Sequence, residues 1–245
     1  MLRNTTAVLA FGLALALSNP VQAGNDIDLS NFPQVQSDFD DLSRQVGLAI
    51  SYTPLAPAAP LGLLGFDIGV EATVVRIDAK EDFWEKAVSD QTPPSYLVFP
   101  KVHAQKGLPL GFDVGLSYAK APGTNIGLVG GELKWAVLKG TLVTPAMAIR
   151  GDYTQLVGVD DIEMSVYGAD ISVSKGFAFV TPYAGIGQVW ISSEEKSDFV
   201  NLDKANLSET KGFVGVKFSL FVISFVAEAD FSKVPSYSGR LNISF

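Results

Sequence analysis

Phe66-Asp67-Ile68-Gly69-Val70-Glu71-Ala72-Thr73-Val74 alternates without a break: Phe66, Ile68, Val70, Ala72 and Val74 fall on one side of an extended chain, Asp67, Gly69, Glu71 and Thr73 on the other. Successive side chains of a strand point to opposite faces, so the stretch reads as a strand with one apolar and one polar face. The phrase returns at Leu110-Gly111-Phe112-Asp113-Val114-Gly115-Leu116-Ser117-Tyr118, where Phe112, Val114, Leu116 and Tyr118 oppose Asp113, Gly115 and Ser117. The shared Leu-Gly-Phe-Asp-(Ile/Val)-Gly is either a duplicated hairpin or two strands under one constraint. From about Val46 to Phe245 the same alternation, punctuated by Gly, Pro, Asn and Lys-Gly, gives eleven strand candidates. They lie near 46–54, 64–78, 95–105, 110–121, 125–139, 141–152, 162–174, 177–193, 210–219, 222–232 and 237–245.

Composition narrows what such strands can build. Charged residues are only 18% of the 245, and 47% are hydrophobic, which argues against disorder. The net charge of -8 and the absence of a Lys/Arg cluster exclude a nucleic-acid binder, whose phosphate contacts need a basic face. With no Cys, thiolate catalysis, disulfides and zinc-cysteine sites are excluded together. The mean hydropathy is +0.25, yet past residue 23 no run approaches the ~20 apolar residues of a helical span. The hydropathy therefore comes from strands, which either bury the apolar face inside a soluble sandwich or turn it outward to lipid in a closed barrel.

Before the strands, Arg3, the apolar run Ala7 to Leu17 and Val21-Gln22-Ala23 form the pattern of a secretory signal peptide cleaved near Ala23. Residues 24–45 then form an N-terminal segment. Ser37 is a candidate N-cap with Asp40 three residues on, and Phe39, Leu42 and Val46 share a helical face, which predicts a short helix. Eleven strands do not close an even-numbered barrel. Either a twelfth strand completes it, or residues 24–45 cross the lumen before the barrel starts, or the helix lies outside ten strands.

The chain ends Tyr237-Ser238-Gly239-Arg240-Leu241-Asn242-Ile243-Ser244-Phe245. This ending resembles that of bacterial outer-membrane β-barrel proteins, whose last strand closes on an aromatic residue with apolar residues at alternate preceding positions. The resemblance is specific over these nine residues and extends to the remaining strands by pattern. It implies a closed, antiparallel transmembrane β-barrel of 10–12 strands over residues 46–245, set in the outer membrane of a Gram-negative-type envelope and surrounded by its lipid. It further implies that Tyr237, Leu241, Ile243 and Phe245 form the signal read by the barrel-assembly machinery, and that the C-terminus is periplasmic. Alternating strand directions back from there puts the connections at Lys106 to Pro109, Lys139-Gly140, Lys175-Gly176 and Ser219 to Phe221 on the periplasmic side, where turns are short. The longer, acidic connections near 79–94, 153–161 and 194–209 fall outside. Pro-rich Leu55 to Leu63 fits badly, being too long for a periplasmic turn.

If the apolar faces are outward, the lumen is lined by Asp67, Glu71, Lys101, His103, Asp113, Glu132, Lys134, Arg150, Lys217, Glu228, Asp230 and Arg240, nearly balanced in sign. Such residues either pair into a closed interior or border a narrow path, and three functions stay open: a porin-like channel for small solutes or apolar ligands, a structural or surface-exposed barrel without transport, and a membrane-embedded lipid hydrolase using His103 with Ser117. No catalytic motif surrounds His103, so the expectation is a protein that is not an enzyme, with no cofactor and no metal. Asp160-Asp161 and Glu194-Glu195-Lys196 read as solvated loop residues, and Gly127 to Gly131 lacks the phosphate-loop pattern. The faces of the last strand predict that Ile243→Arg is costly and Asn242→Arg much milder. Oligomeric state is not readable from the sequence.

Overall fold

A computed structural model of the chain describes residues 35–78, 80–87, 95–197 and 200–245, with Ile27, Leu29 and Phe32 ahead of them. The proposed signal peptide and its cleavage site lie outside the described residues. Ten strands follow one another in chain order: β1 (Phe66–Arg76), β2 (Tyr96–Gly107), β3 (Phe112–Lys120), β4 (Gly127–Lys139), β5 (Ala146–Val157), β6 (Ile162–Ser174), β7 (Val180–Glu195), β8 (Ala205–Leu220), β9 (Ile223–Phe231) and β10 (Ser236–Ser244). Each pairs antiparallel with its sequence neighbours, and β1 pairs with β10 from Asp67↔Ser244 to Val75↔Ser236, which closes the barrel. Closure removes both sheet edges, so every strand finds its hydrogen-bond partners within the wall.

One expected strand is absent. Residues 46–50 finish an α-helix, α1 (Gln36–Ile50), and 51–65 run on without regular structure until β1 begins at Phe66, not near residue 46. Val46-Gly47-Leu48-Ala49-Ile50 alternates in size, but Phe39, Leu42 and Val46 already set a helical stripe. Burial decides for the helix, since Phe39 and Leu42 are fully enclosed. The helix starts earlier than its expected cap: Val35 is the N-cap residue, with no side-chain capping bond, and Ser37 lies inside the first turn.

Helix α1 packs against β6, β7 and β8 from within. Its core partners are inward residues at one end of the strands, among them Val75, Phe99, Leu128, Leu156, Met164 and Ile191. Burying each of Phe39, Leu42 and Val46 stabilises by about 1.5–3 kcal/mol relative to exposure. A second short helix, α2 (Asp82–Ala87), caps the same end, where Trp84 Nε1 donates to Gln45 Oε1 at 2.9 Å. The helix start is tied to the β7–β8 connection through Gln36, which exchanges two hydrogen bonds with the Asp203 backbone at 2.8 and 3.0 Å. Arg44 reaches Glu209 at 2.9 Å.

The connections fall into two sets, and the ends are here named for them. At the turn end, β2–β3, β4–β5, β6–β7 and β8–β9 are joined by residues 108–111, 140–145, 175–179 and 221–222. At the loop end lie 77–95, 121–126, 158–161, 196–204 and 232–235. The expected long connection at 153–161 is only 158–161, because β5 continues to Val157. Pro-rich Leu55 to Leu63 is not a simple end turn, since it runs inside the barrel through Ala58 and emerges at the turn end, where Leu63 is exposed.

Outside, alternate positions are apolar and exposed, as at Ile68, Val102, Leu116, Ile171, Val214 and Leu241. Toward the loop end of β5 to β8 the outward positions become polar and bond one another: Ser165 Oγ to Gln155 at 2.6 Å, Thr210 Oγ1 to Gln188 at 3.1 Å, Ser192 Oγ to Asn206 at 3.3 Å. Tyr153 and Tyr167, in contact at a tilt with centroids 5.0 Å apart, mark the boundary. The apolar belt thus sits toward the turn end.

A Cβ on Gly47 would stand 2.5 Å from Ile191 Cγ2 and 2.7 Å from its Cγ1 and Cδ1, so the helix reaches β7 only because this residue has no side chain. Gly47→Val is expected to cost about 1–3 kcal/mol by overpacking. Limited trypsin digestion of the folded protein should then cut after Arg44 faster than in wild type, with the heat-modifiable gel mobility of the barrel retained.

Candidate functional site

Strand register brings the lumen charges together. Glu71 stands opposite Lys101 on β2 and Arg240 on β10. It accepts from Lys101 Nζ at 2.7 Å and from both Nε and Nη2 of Arg240 at 2.7 Å. Asp113 is likewise opposite Lys134, with 2.9 Å between them. Arg150 lies between Glu132 at 3.2 Å and its cross-strand partner Asp170 at 3.6 Å. Asp67 takes His103 Nε2 at 2.8 Å and Lys217 at 3.5 Å, and also pairs with Asn242 Nδ2. Lys211 meets Asp230 at 3.4 Å, and Ser236 donates to Asp230 at 3.0 Å. All twelve residues read from the sequence as lumen candidates point inward; Lys101 and Lys217 keep the most side-chain exposure, at 10% and 16%. Such charges leave water only when paired, and register sets Glu71, Asp113 and Arg150 opposite a partner, although the Arg150 guanidinium makes its ion pairs without a hydrogen bond.

The interior also holds the chain itself. Residues 51–65 descend from the end of α1 at the loop half to Phe66 at the turn end, and the wall charges bond their backbone. Lys211 Nζ donates to Tyr52 O at 2.6 Å, and Arg240 Nη1 and Nη2 to Leu55 O and Pro54 O at 3.2 and 3.5 Å. Lys134 Nζ donates to Pro57 O and Ala59 O at 3.1 and 3.2 Å. In the other direction Leu55 N–H donates to Glu228 at 3.0 Å, Ala59 N–H to Ser174 Oγ at 3.3 Å, and Leu61 N–H to Asp113 at 3.1 Å. An extended segment without a strand partner would otherwise leave these groups unpaired and buried, so the charges replace a sheet neighbour. Its prolines fit, since they present carbonyls to these donors and carry no N–H that would need an acceptor.

The sequence reading passed over several members of this interior. Asp152, Asp170 and Lys211 share the inward parity of Arg150 and Lys217 and were legible by the same alternation. Tyr52 and Leu55 to Leu61 carried no such signal, because their wall contacts are mostly made by backbone. Tyr183 donates to Glu228 Oε2 at 2.7 Å, and a Cβ on Gly215 would stand 2.2 Å from its ring. The glycine leaves the slot that the ring fills.

A cavity of about 200 Å³ remains at the turn end, lined by Leu55 to Leu61 on one side and by Asp67, Gln105, Lys134, Lys217 and Thr181 on the other. His103 spends Nε2 on Asp67, and its buried Nδ1 has no hydrogen-bond partner, so neither nitrogen serves Ser117. Among the described residues no group of three His, Asp or Glu could hold a metal. Tyr237, Leu241, Ile243 and Phe245 are all on the outer surface, with Phe245 stacked on Phe66 across the seam at 6.2 Å. Asn242, by contrast, is buried and hydrogen-bonded to Asp67, so Asn242→Arg would place a longer, charged side chain in filled space. The milder effect expected from an open polar lumen does not hold there.

No protein-family model and no curated protein matches the chain. Among solved structures it is similar to the attachment invasion locus protein Ail of Yersinia pestis, solved in complex with the heparin analogue sucrose octasulfate, at 13% identity over 74% of this chain and 97% of that one, with a TM-score of 0.30. It is also similar to the translocator domain of the autotransporter NalP from Neisseria meningitidis, at 9% identity over 89% and 99%, with a TM-score of 0.33. At these values the fold rests on the strand pairing of the chain itself.

Arg240 joins Glu71 on the wall to two carbonyls of the threaded segment, so its removal should be felt twice. Arg240→Leu strands two buried carbonyls and leaves Glu71 with Lys101 as its remaining cation, so the loss should be about 1–3 kcal/mol for each group left unsatisfied. Urea titration of the folded protein in detergent should show that loss, while Arg240→Lys, which keeps a positive charge beside Glu71, loses less.

Proposed function

We propose that the chain is an outer-membrane β-barrel protein, exported by its N-terminal signal and assembled by the machinery that reads Tyr237, Leu241, Ile243 and Phe245, whose lumen is occupied by its own N-terminal segment. In this reading the turn end is periplasmic and the loop end faces outward. The observation that carries the proposal is the continuous filling of the interior. Helix α1 and an apolar core take the loop half, and 51–65, held by Lys134, Lys211, Glu228 and Arg240, takes the turn half.

Such a barrel works without transport, as a structural or surface-exposed element acting through the loop end. A narrow channel is the second reading. The cavity of about 200 Å³ at the turn end supports it, but a solute entering there would meet the threaded segment that lines it. A hydrolase is the least supported, because His103 is enclosed and directed to Asp67. We further propose that the protein takes no cofactor.

Single-channel recording in planar bilayers tests the closed reading. Wild type should give no conductance steps at low voltage. A variant lacking residues 36–61, verified as folded by heat-modifiable mobility, should conduct, because the lumen of ten strands would then be held open by charged walls. Reproducible wild-type steps would favour the channel instead.

A further inference from the structure

The turn end is built from residues that suit apolar surroundings. A tight turn in water usually takes Gly, Asn or Asp, which accept positive φ and hydrogen-bond to water. Here three of the four turns place a non-glycine apolar residue in the left-handed region: Leu110 at φ 63°, Ala178 at 51° and Phe221 at 57°. The side chains at these tips stand free of the protein. Phe221 and Leu142 are fully exposed, Val143 and Leu110 nearly so, and Phe177 and Phe179 flank Ala178 at more than half exposure. Bulky residues bear a strained conformation here while burying nothing against their own chain, so the surroundings must supply the compensation.

Belt height points the same way. On β10, Tyr237 and Phe245 are outward at the two levels, and eight residue steps at a strand tilt near 40° span about 20 Å along the axis. Lipid-facing bands of such barrels are about 25 Å tall. The belt cannot extend toward the loop end, because outward Gln155, Ser165, Gln188, Ser192, Asn206 and Thr210 bond one another there. It can extend only across the turn tips.

Charge identifies the lipid. Lys106, Lys139 and Lys175 enter three of the four turns as Lys-Gly, and residues 61–66, 106–111, 139–145, 175–180 and 219–223 contain no Asp or Glu. Lys175 Nζ caps Thr141 O, Leu142 O and Thr144 O at 2.9, 2.7 and 3.2 Å, and Lys106 Nζ caps Leu63 O and Gly65 O at 2.6 and 3.0 Å. Carbonyls orient these ammonium groups without neutralising them. Three lysines at the loop end are arranged otherwise, with Lys196 within 3.6 Å of Glu163, Lys204 within 3.8 Å of Glu194 and Lys233 within 2.9 Å of Glu209.

We propose that the turn end is a lipid-binding rim. Leu110, Leu142, Val143, Phe177, Phe179 and Phe221 insert among acyl chains, and Lys106, Lys139 and Lys175 hold the phosphates of anionic phospholipid. The inference rests on the membrane reading above, and the test separates the two. The chain has no Cys, so single cysteines can be introduced at Phe221, at Ile171 in the belt and at Lys233 at the loop end, and labelled with an environment-sensitive fluorophore after folding into phosphatidylcholine vesicles. With brominated lipid, labels at 221 and 171 should lose most of their emission and the label at 233 little, with iodide giving the reverse order. Quenching at 171 but an iodide-accessible label at 221 would overturn the rim alone; water-exposed labels at both would overturn the membrane reading. In vesicles with added phosphatidylglycerol, spin-labelled phosphatidylglycerol should be immobilised by the protein in preference to phosphatidylcholine, by roughly fivefold for each lysine engaged. Lys106→Gln, Lys139→Gln and Lys175→Gln together should abolish that preference. If the triple variant does not fold, Lys139→Gln alone should reduce it. Equal immobilisation of both lipids by wild type would remove the anionic part of the proposal.

Discussion

Everything inside this barrel depends on one constraint: a backbone without a strand partner, enclosed where water has little access, must have its carbonyls and amides satisfied by side chains. Residues 51–65 are such a backbone, and the wall answers with Lys134, Lys211 and Arg240 as donors and Asp113 and Glu228 as acceptors. The relation is mutual. Ten strands enclose more space than their own inward side chains fill, and a charged wall around an empty lumen would simply hydrate. Threading the chain through it ties separate ion pairs together, because Asp113, Lys134, Lys211, Glu228 and Arg240 bond both wall and segment.

The lumen is divided along its axis, and the division follows from what fills each half. A helix satisfies its own backbone and offers only side chains, so the wall around α1 is apolar at Phe99, Leu128, Met164 and Ile191. An extended segment offers backbone, so the wall around it is charged. The boundary lies near Ser51 and Tyr52, where the helix ends; there Lys211 bonds Tyr52 O, and Lys101 stands 5.9 Å from the centre of the Tyr52 ring. A uniformly polar lumen, suited to a water-filled passage, would have no reason to change character at that level.

Most of the wall was legible in the sequence, because a period of two assigns each residue to a face with no knowledge of its neighbours. Asp67 and Glu71 are inward for the same reason that Ile68 and Val70 are outward. Two things were not legible. Val46 to Ile50 suits either a strand or the last turn of a helix, and only burial against Ile191 separates them. The path of Leu55 to Leu63 was hidden because its partners bind carbonyls and amides, which every residue carries. Its misfit as a turn was the one trace it left.

The same distinction between side-chain and backbone information bears on the turn end. Glycine at φ 76° in Gly140 says nothing about its surroundings, because glycine adopts that conformation anywhere. Phenylalanine at φ 57° in Phe221 does carry information, since the conformation is unfavourable for a side chain with a Cβ and an exposed ring in water adds a second cost. That the fold tolerates both at one residue, and repeats the pattern in leucine and alanine on neighbouring turns, is what the proposed lipid rim accounts for. The loop end differs: the outward residues there on β5 to β8 are polar, Lys196, Lys204 and Lys233 stand beside carboxylates, and an apolar core is turned inward onto α1. A barrel with its interior core at one end and its exterior apolar surface at the other is thus adapted to two media along a single axis, and its own N-terminal segment is what joins them.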